Sequence, residues 1–324
     1  MVGHRERDDG DAMSTPHRNI LVVAHALRDD TVRAAERVVA ALHGAGAQAV
    51  VALDDRSDLA AAHPAFADLP ALGEEIAVAD IELAIVLGGD GTILRAAELV
   101  RGGTAPVLGI NMGHVGFLAE IERDDMDAAV RRVIDRDYTV EERLAISIRV
   151  KDADGTVIYR TWALNEATVE KASRERMLEV VIEIDERPLS SFGCDGVVVS
   201  TPTGSTAYNF SGGGPVIWPT VEAMTVVPLS AHALFARPLV VGPEAAIAIE
   251  LLQRTDGAGI LWCDGRRSHP LPPGARVVVR RSDDPVRLAR LHPAAFTDRL
   301  VRKFRLPVAG WRGPDAHPAK GLPR

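Results

Sequence analysis

From residue 19 the chain alternates between two hydrophobic periods. "NILVVAH" (19–25) is an unbroken apolar run of strand length. "TVRAAERVVAALHGAG" (31–46) then sets Val32, Ala35, Val39 and Leu42 on one helical face. Asp30 is placed to cap that helix, and Gly44 or Gly46 to end it. Strand runs follow at "QAVVALD" (48–54), "IELAIVLGG" (81–89) and "APVLGIN" (105–111), and helical runs at "TILRAAELVRGG" (92–103) and "DDMDAAVRRVIDRD" (124–137). Such alternation predicts a parallel sheet covered by helices. Its strand-to-helix loops gather at one edge, where ligands bind.

Near residue 140 the pattern changes to short alternating runs. "LAISIRVKDADGTVIYRTWAL" (144–164) reads as two strands around an Asp154-Gly155 turn, and Val180, Ile182 and Ile184 share one face at period two. "LVVGPEAAIAIEL" (239–251), "GILWCDGRR" (259–267) and "ARVVVRRS" (275–282) continue in that style. The chain is thus expected to hold an α/β domain over 18–139 and a β-rich, mostly antiparallel and sandwich-like domain over 140–293. In the last segment, 294–324, Phe296, Leu300 and Phe304 recur at helical spacing, so a short helix is expected to dock on the first domain. Residues 1–17 have no apolar core and read as a disordered tail, or as an extension upstream of a start at Met13.

Composition narrows the class. The 324 residues suit two domains, with 47% apolar and 25% charged residues as in ordinary globular proteins. Runs such as "AAIAIELL" (245–252) fall far short of the roughly 18 residues of a membrane helix. Two cysteines, Cys194 and Cys263, and no secretory signal point to a reducing cytoplasm. A formal charge of −8 disfavours a general nucleic-acid binder, so any anionic ligand must be held by local groups. The ten histidines show no metal-ligand spacing, and no zinc is expected.

The chemistry concentrates in "GGDGT". Gly88 and Gly89 end a strand, Gly91 and Thr92 open a helix, and free amides at a helix start attract phosphate. Asp90 would repel a bare phosphate but suits a sugar hydroxyl, as acceptor or general base. The alternative is an Asp-Gly turn that caps the following helix. The dinucleotide fingerprint G-x-G-x-x-G fails because Leu94 stands where its last glycine belongs, and there is no P-loop. A second stretch, "DGVVVSTPTGSTAYNFSGGGPV" (195–216), offers hydroxyls, glycines and Tyr208. A third, "LNEATVEK" (164–171), offers Asn165 to an adenine edge or amide and Glu166 to ribose hydroxyls. Each of these alone is an ordinary polar loop.

Together, Gly88 to Thr92, "NMGHVGF" (111–117), Asn165-Glu166 and Asp195 through Pro215 resemble the bacterial NAD kinase family, in its order and spacing, over roughly 19 to 312. "STPTGSTAY" is close to diagnostic, whereas "GGDGT" is shared with diacylglycerol and sphingosine kinases. "FTDRLVRKFRLPVAGWRG" (296–313) looks like the end of the actinobacterial branch. The resemblance implies phosphorylation of the 2′-hydroxyl of the adenosine ribose of NAD to give NADP, with ATP or inorganic polyphosphate as donor. NAD would lie between the two domains.

By resemblance Asp90 is the proton acceptor, and Gly88, Gly89, Gly91 and Thr92 form the donor-phosphate loop. Gly91, Asn165, Glu166, Asp195 and the run Thr206, Ala207, Tyr208, Asn209, Phe210 and Ser211 would line the NAD site, with Arg95 and Arg176 beside them. Asp264 resembles an aspartate that reaches the site of a neighbouring subunit, and a homodimer or homotetramer is implied. A divalent cation, expected to be Mg²⁺, would arrive with the donor phosphates; no protein ligands are assigned to it. His114 and Gly193 depart from other branches and bear on affinity or donor use. A lipid or sugar kinase sharing "GGDGT", or a non-catalytic NAD-binding regulator, is the competing reading.

Overall fold

A computed structural model describes residues 18–113, 116–173, 177–253, 258–292 and 295–308. The expectations for 1–17, His114, Arg176 and the segment beyond 308 lie outside the described residues.

In chain order the first part holds β1 (Asn19–Ala24), α1 (Asp29–Gly44), β2 (Gln48–Ala52), α2 (Leu53–Ala62), β3 (Ala71–Leu72), β4 (Ile81–Leu87), α3 (Asp90–Leu99), β5 (Val107–Asn111), β6 (Ile121–Glu122), α4 (Met126–Ile134) and β7 (Thr139–Arg143). β1, β2, β3, β4 and β5 pair in parallel in the order β3-β2-β1-β4-β5. Alternate residues of β1 enter different cores. Ile20 and Val22 pack with α1 and α4, and Leu21 and Val23 lie in the core that holds α3. Both faces are covered, so the strand reads as a continuous apolar run. Each such side chain contributes about 1.5–3 kcal/mol by leaving water.

Three local expectations shift. α1 starts two residues early, at Asp29, so Asp30 sits inside its first turn rather than at its cap. The chain turns out of α1 at Gly46, whose φ of +76° suits glycine. α2 has no counterpart in the periodicity, because Leu59 is its one buried residue.

The second part holds β8 (Ile146–Lys151), β9 (Val157–Ala163), β10 (Glu166–Lys171), β11 (Leu178–Ile184), β12 (Arg187–Cys194), β13 (Gly196–Ser200), α5 (Tyr208–Ser211), β14 (Met224–Leu229), β15 (Leu239–Val241), β16 (Ile247–Leu251), β17 (Gly259–Cys263), β18 (Arg267–Leu271), β19 (Arg276–Arg281), β20 (Val286–Arg290) and α6 (Phe296–Phe304). Two six-stranded antiparallel sheets, β15-β14-β13-β10-β17-β18 and β12-β11-β16-β19-β8-β9, share one apolar core. Val180 and Ile182 point into it, as their period of two requires.

The expected boundaries at 139/140 and 293 are crossed. β7 and β20 belong to the first sheet: β20 pairs parallel with β5 and antiparallel with β7. The chain therefore leaves the first domain and returns to it. α6 likewise touches both parts. Phe304 packs on Phe117 and on Phe210, and Phe296 on Phe117 and Trp218.

Candidate functional site

β4 and β5 are neighbours, so the loops leaving their C-terminal ends meet at one sheet edge. Gly88 follows β4 and is tight, since a Cβ there would lie 2.4 Å from Thr92 Oγ1. α3 begins at Asp90 itself, two residues before the expected start, with Gly89 as its extended cap residue. Asp90 does not cap the helix. Its carboxylate crosses to the loop after β5, where Oδ2 accepts the Phe117 amide at 3.0 Å and Oδ1 the Leu118 amide at 3.1 Å. Gly116 makes that approach possible, because a Cβ there would come within 2.2 Å of Asp90 Oδ1. Gly89 and Gly91 meet nothing within 4 Å. Among the described residues nothing demands glycine at either position, whereas close approach of a phosphate would.

The strand carrying Asn165 and Glu166 is pinned beside this edge. Leu164 lies in the same core as Ile93 and Leu94 of α3. Its carbonyl accepts the Thr201 hydroxyl at 2.5 Å, and the Asn165 carbonyl accepts Ser200 Oγ at 3.1 Å and the Thr201 amide at 2.9 Å. Gly204 abuts the same peptide, since a Cβ there would fall 2.0 Å from the Asn165 oxygen. Asp264 completes the clamp by accepting the Leu164 and Asn165 amides at 3.0 and 2.6 Å and Arg267 Nη2 at 2.7 Å. The side chain of Asp264 is 1% exposed. Its carboxylate is buried and engaged by amides and a guanidinium of its own chain. Burial raises its pKa against the two amides and Arg267.

Glu166 lies 6% exposed at the start of β10, and its buried Oε2 has no hydrogen-bond partner among the described residues. Burial first, and Asp264 second, push its carboxyl up to about 8, against the pull of the Tyr208 amide. At neutral pH it holds a proton and can donate as well as accept, which suits a sugar hydroxyl.

The hydroxyl-rich loop divides its labour. Thr206, Ala207, Tyr208, Phe210 and Ser211 are partly or well exposed. Asn209 is fully buried. Its Nδ2 donates to the Ser205 and Pro215 carbonyls at 3.2 and 3.1 Å, and its Oδ1 accepts Thr225 Oγ1 at 2.7 Å. It holds the loop together and presents nothing to a ligand. Ser205 is buried and spends its hydroxyl on Pro202 and Ile217. Phe210 packs against Phe304 with ring centroids 4.6 Å apart. Arg95 pairs with Asp55 of α2 at 2.5 Å instead of standing free beside Asp90. Asp195 is remote from Glu166: Glu166 pairs with Ser200 and Glu170 with Gly196, so the two acids lie roughly 16 Å apart along the ladder. Lys171 Nζ holds the Asp195 carboxylate at 2.5 Å.

Only the structure reveals the roles of the Phe117 and Leu118 amides, of Gly116 and of Asp264 as a clamp. Backbone amides leave no side-chain signature; the glycine of "VGF" was the available hint. Among the described residues no group of three His, Cys, Asp or Glu side chains could hold a metal ion, and no helix is long and apolar enough to cross a membrane.

Residues 20–138 match the ATP-NAD kinase N-terminal domain profile and residues 164–291 the ATP-NAD kinase C-terminal domain profile. The NAD kinase of Leifsonia xyli is 65% identical over 298 residues, covering 92% of this chain and 98% of that protein. The NAD kinase of Thermobifida fusca is 56% identical over 315 residues, 95% of each chain. In fold, yeast NADH kinase solved with NADH superposes with a TM-score of 0.79 at 21% identity, covering 91% of this chain and 89% of that one. Both domain profiles, in order, and relatives aligned along nearly the full length place this chain in the ATP-NAD kinase family.

Proposed function

We propose that the protein transfers a phosphoryl group from ATP to the 2′-hydroxyl of the adenosine ribose of NAD. The observation that carries this reading is the amide-held carboxylate of Asp90, flanked by two open glycines at the head of a helix whose Ile93 and Leu94 share a core with Leu164, two residues before the buried Glu166. Each Asp90 oxygen accepts one amide and keeps a second lone pair, so the carboxylate is oriented and still able to take a proton from the ribose hydroxyl. Open backbone at Gly89 and Gly91 admits the donor phosphates, and the Asn165–Glu166 segment and the exposed face of 206–208 hold the nucleoside. Phosphoryl transfer then needs chiefly positioning and charge neutralisation. A divalent cation such as Mg²⁺ supplies that neutralisation when bound. The donor set fits one carried mainly by ATP phosphates, because Asp90 is the single carboxylate at the glycine loop.

Purified protein incubated with NAD, Mg²⁺ and either ATP or polyphosphate is expected to form NADP, and to leave diacylglycerol untouched. Absence of NADP with both donors would refute the reading. Self-association into a dimer or tetramer is part of the proposal. It is supported by the exposed Leu234 and Phe235 and by Val240 on edge strand β15. Sedimentation of Phe235→Asp is expected to show smaller species than the parent. We place the protein in the cytoplasm, on the strength of its two free, buried cysteines.

A further inference from the structure

An open cavity of about 700 Å³ lies between β7, the end of β20, residues 218–220 and α6. One wall is apolar, with Trp218, Pro219, Leu291 and Phe296; the Trp218 and Phe296 rings meet edge to face at 5.1 Å. The other wall carries Arg143 and Arg299, 7% and 8% exposed, and Arg290, whose side chain is 10% exposed.

These arginines share two carboxylates. Glu141 pairs with Arg143 at 3.0 Å and Arg290 at 2.6 Å, and Glu120 with Arg290 at 2.9 Å and Arg299 at 2.8 Å. Three guanidinium charges thus stand against two carboxylates, and among the described residues the buried Arg143 Nε and Arg290 Nη2 have no hydrogen-bond partner. Burial, and then the neighbouring Arg290, push the Arg143 guanidinium down to about 10. An anion supplies the missing charge, and the aromatic wall suits a flat apolar body. None of the lining residues belongs to 88–92, 164–166 or 204–211.

It is nevertheless wired to Asp90. Arg299 Nη1 donates to the Phe117 and Ala119 carbonyls at 2.7 and 3.0 Å, and Arg290 Nη1 to the Leu118 carbonyl at 3.4 Å. The amides of Phe117 and Leu118 hold the Asp90 carboxylate. A ligand that draws these arginines toward the cavity pulls on the segment that orients the base.

We propose that this cavity binds a small organic anion, an aryl carboxylate or aryl phosphate, and that its occupation changes turnover at Asp90 through the Phe117–Leu118 segment. The second half rests on the kinase reading; the first does not. The test is calorimetric titration of the full chain, saturated with NAD, with phenyl phosphate, benzoate and inorganic phosphate, paired with turnover assays in the same ligands. Saturable binding of an aryl anion is expected. It should weaken at least about tenfold in Arg143→Gln, the loss expected for a charged hydrogen bond. Trp218→Ala, a change at an exposed residue, should lose the advantage of the aryl anions over inorganic phosphate. Turnover at saturating NAD should change with the same midpoint as binding. No saturable binding, displacement by NAD, or equal affinity in the parent and both variants overturns the site. Binding with unchanged turnover overturns the coupling. A protein that binds the anion but makes no NADP refutes the kinase reading and leaves the site standing.

Discussion

Asp90 has two tasks at once: it is the base in the proposed transfer, and it ties the loop after β5 to the start of α3. In Asp90→Asn the amide nitrogen cannot accept, so one loop amide loses its partner. Stability is expected to fall by about 1–3 kcal/mol and turnover by roughly 10²- to 10⁴-fold, with NAD affinity retained. Steady-state kinetics beside an NAD titration measure both, and near-parental turnover would remove Asp90 from the mechanism. Glu166 makes a separate prediction. Its folded value of about 8 lies above the ordinary 4.5, so the folded state holds the extra proton between these limits. Stability contributed by this group is therefore greatest at low pH and declines as pH rises from about 4.5 through 8. In Glu166→Gln that decline should vanish, with melting temperatures that match the parent near pH 5 and exceed it near pH 9. Parallel pH profiles for the two proteins would contradict the assignment.

At the scale of elements, the site depends on how tightly the 200–209 loop is packed on the end of the β9–β10 connection. Glycine at 204 makes room for the Asn165 peptide rather than for a ligand, since the peptide oxygen lies 2.0 Å from where a Cβ would be. Both partners are main chain, so neither swings aside. Gly204→Ala is expected to cost about 1–3 kcal/mol by overpacking and to weaken NAD binding as a consequence. A thermal melt separates the two views: an unchanged melting temperature with a raised KM would restore the ligand-clearance reading. α6 acts similarly at a distance, because Arg299 grips the carbonyls of the loop whose amides grip Asp90.

At the scale of the whole molecule, Arg267 links the two halves. Its guanidinium meets Glu98 of α3 at 2.9 Å and Asp264 at 2.7 Å, and it lies 4.6 Å from the Trp162 ring, which Arg101 also approaches at 4.3 Å. Arg266 meets the other Glu98 oxygen at 3.2 Å, so α3 and the Asn165–Glu166 strand are registered through this pair of arginines. Arg267→Met leaves the Asp264 carboxylate buried without its charge partner and should cost about 3 kcal/mol, with a rise in KM for NAD. Chemical denaturation checks the first and kinetics the second; parental stability would show that the link is dispensable.

The architecture was legible where local pattern and tertiary role coincide. The unbroken apolar runs of β1, β4 and β5, the period-two strand β11 and the turn at Asp154-Gly155 need no distant partner to be recognised. α2 was silent because Leu59 alone faces the core. The membership of β7 and β20 in the first sheet was silent because strand pairing over more than a hundred residues leaves no local periodicity. The site divides in the same way. Sequence alone determined which residue types are available: a carboxylate among glycines, an Asn-Glu pair and a hydroxyl-rich loop. Tertiary structure decided which of them face a ligand. It turned Asn209, Ser205 and Asp264 inward and paired Arg95 with Asp55. It also oriented Asp90 with two backbone amides. The reason is physical: side-chain chemistry is written residue by residue, whereas burial and hydrogen-bond partnership arise only when distant segments meet.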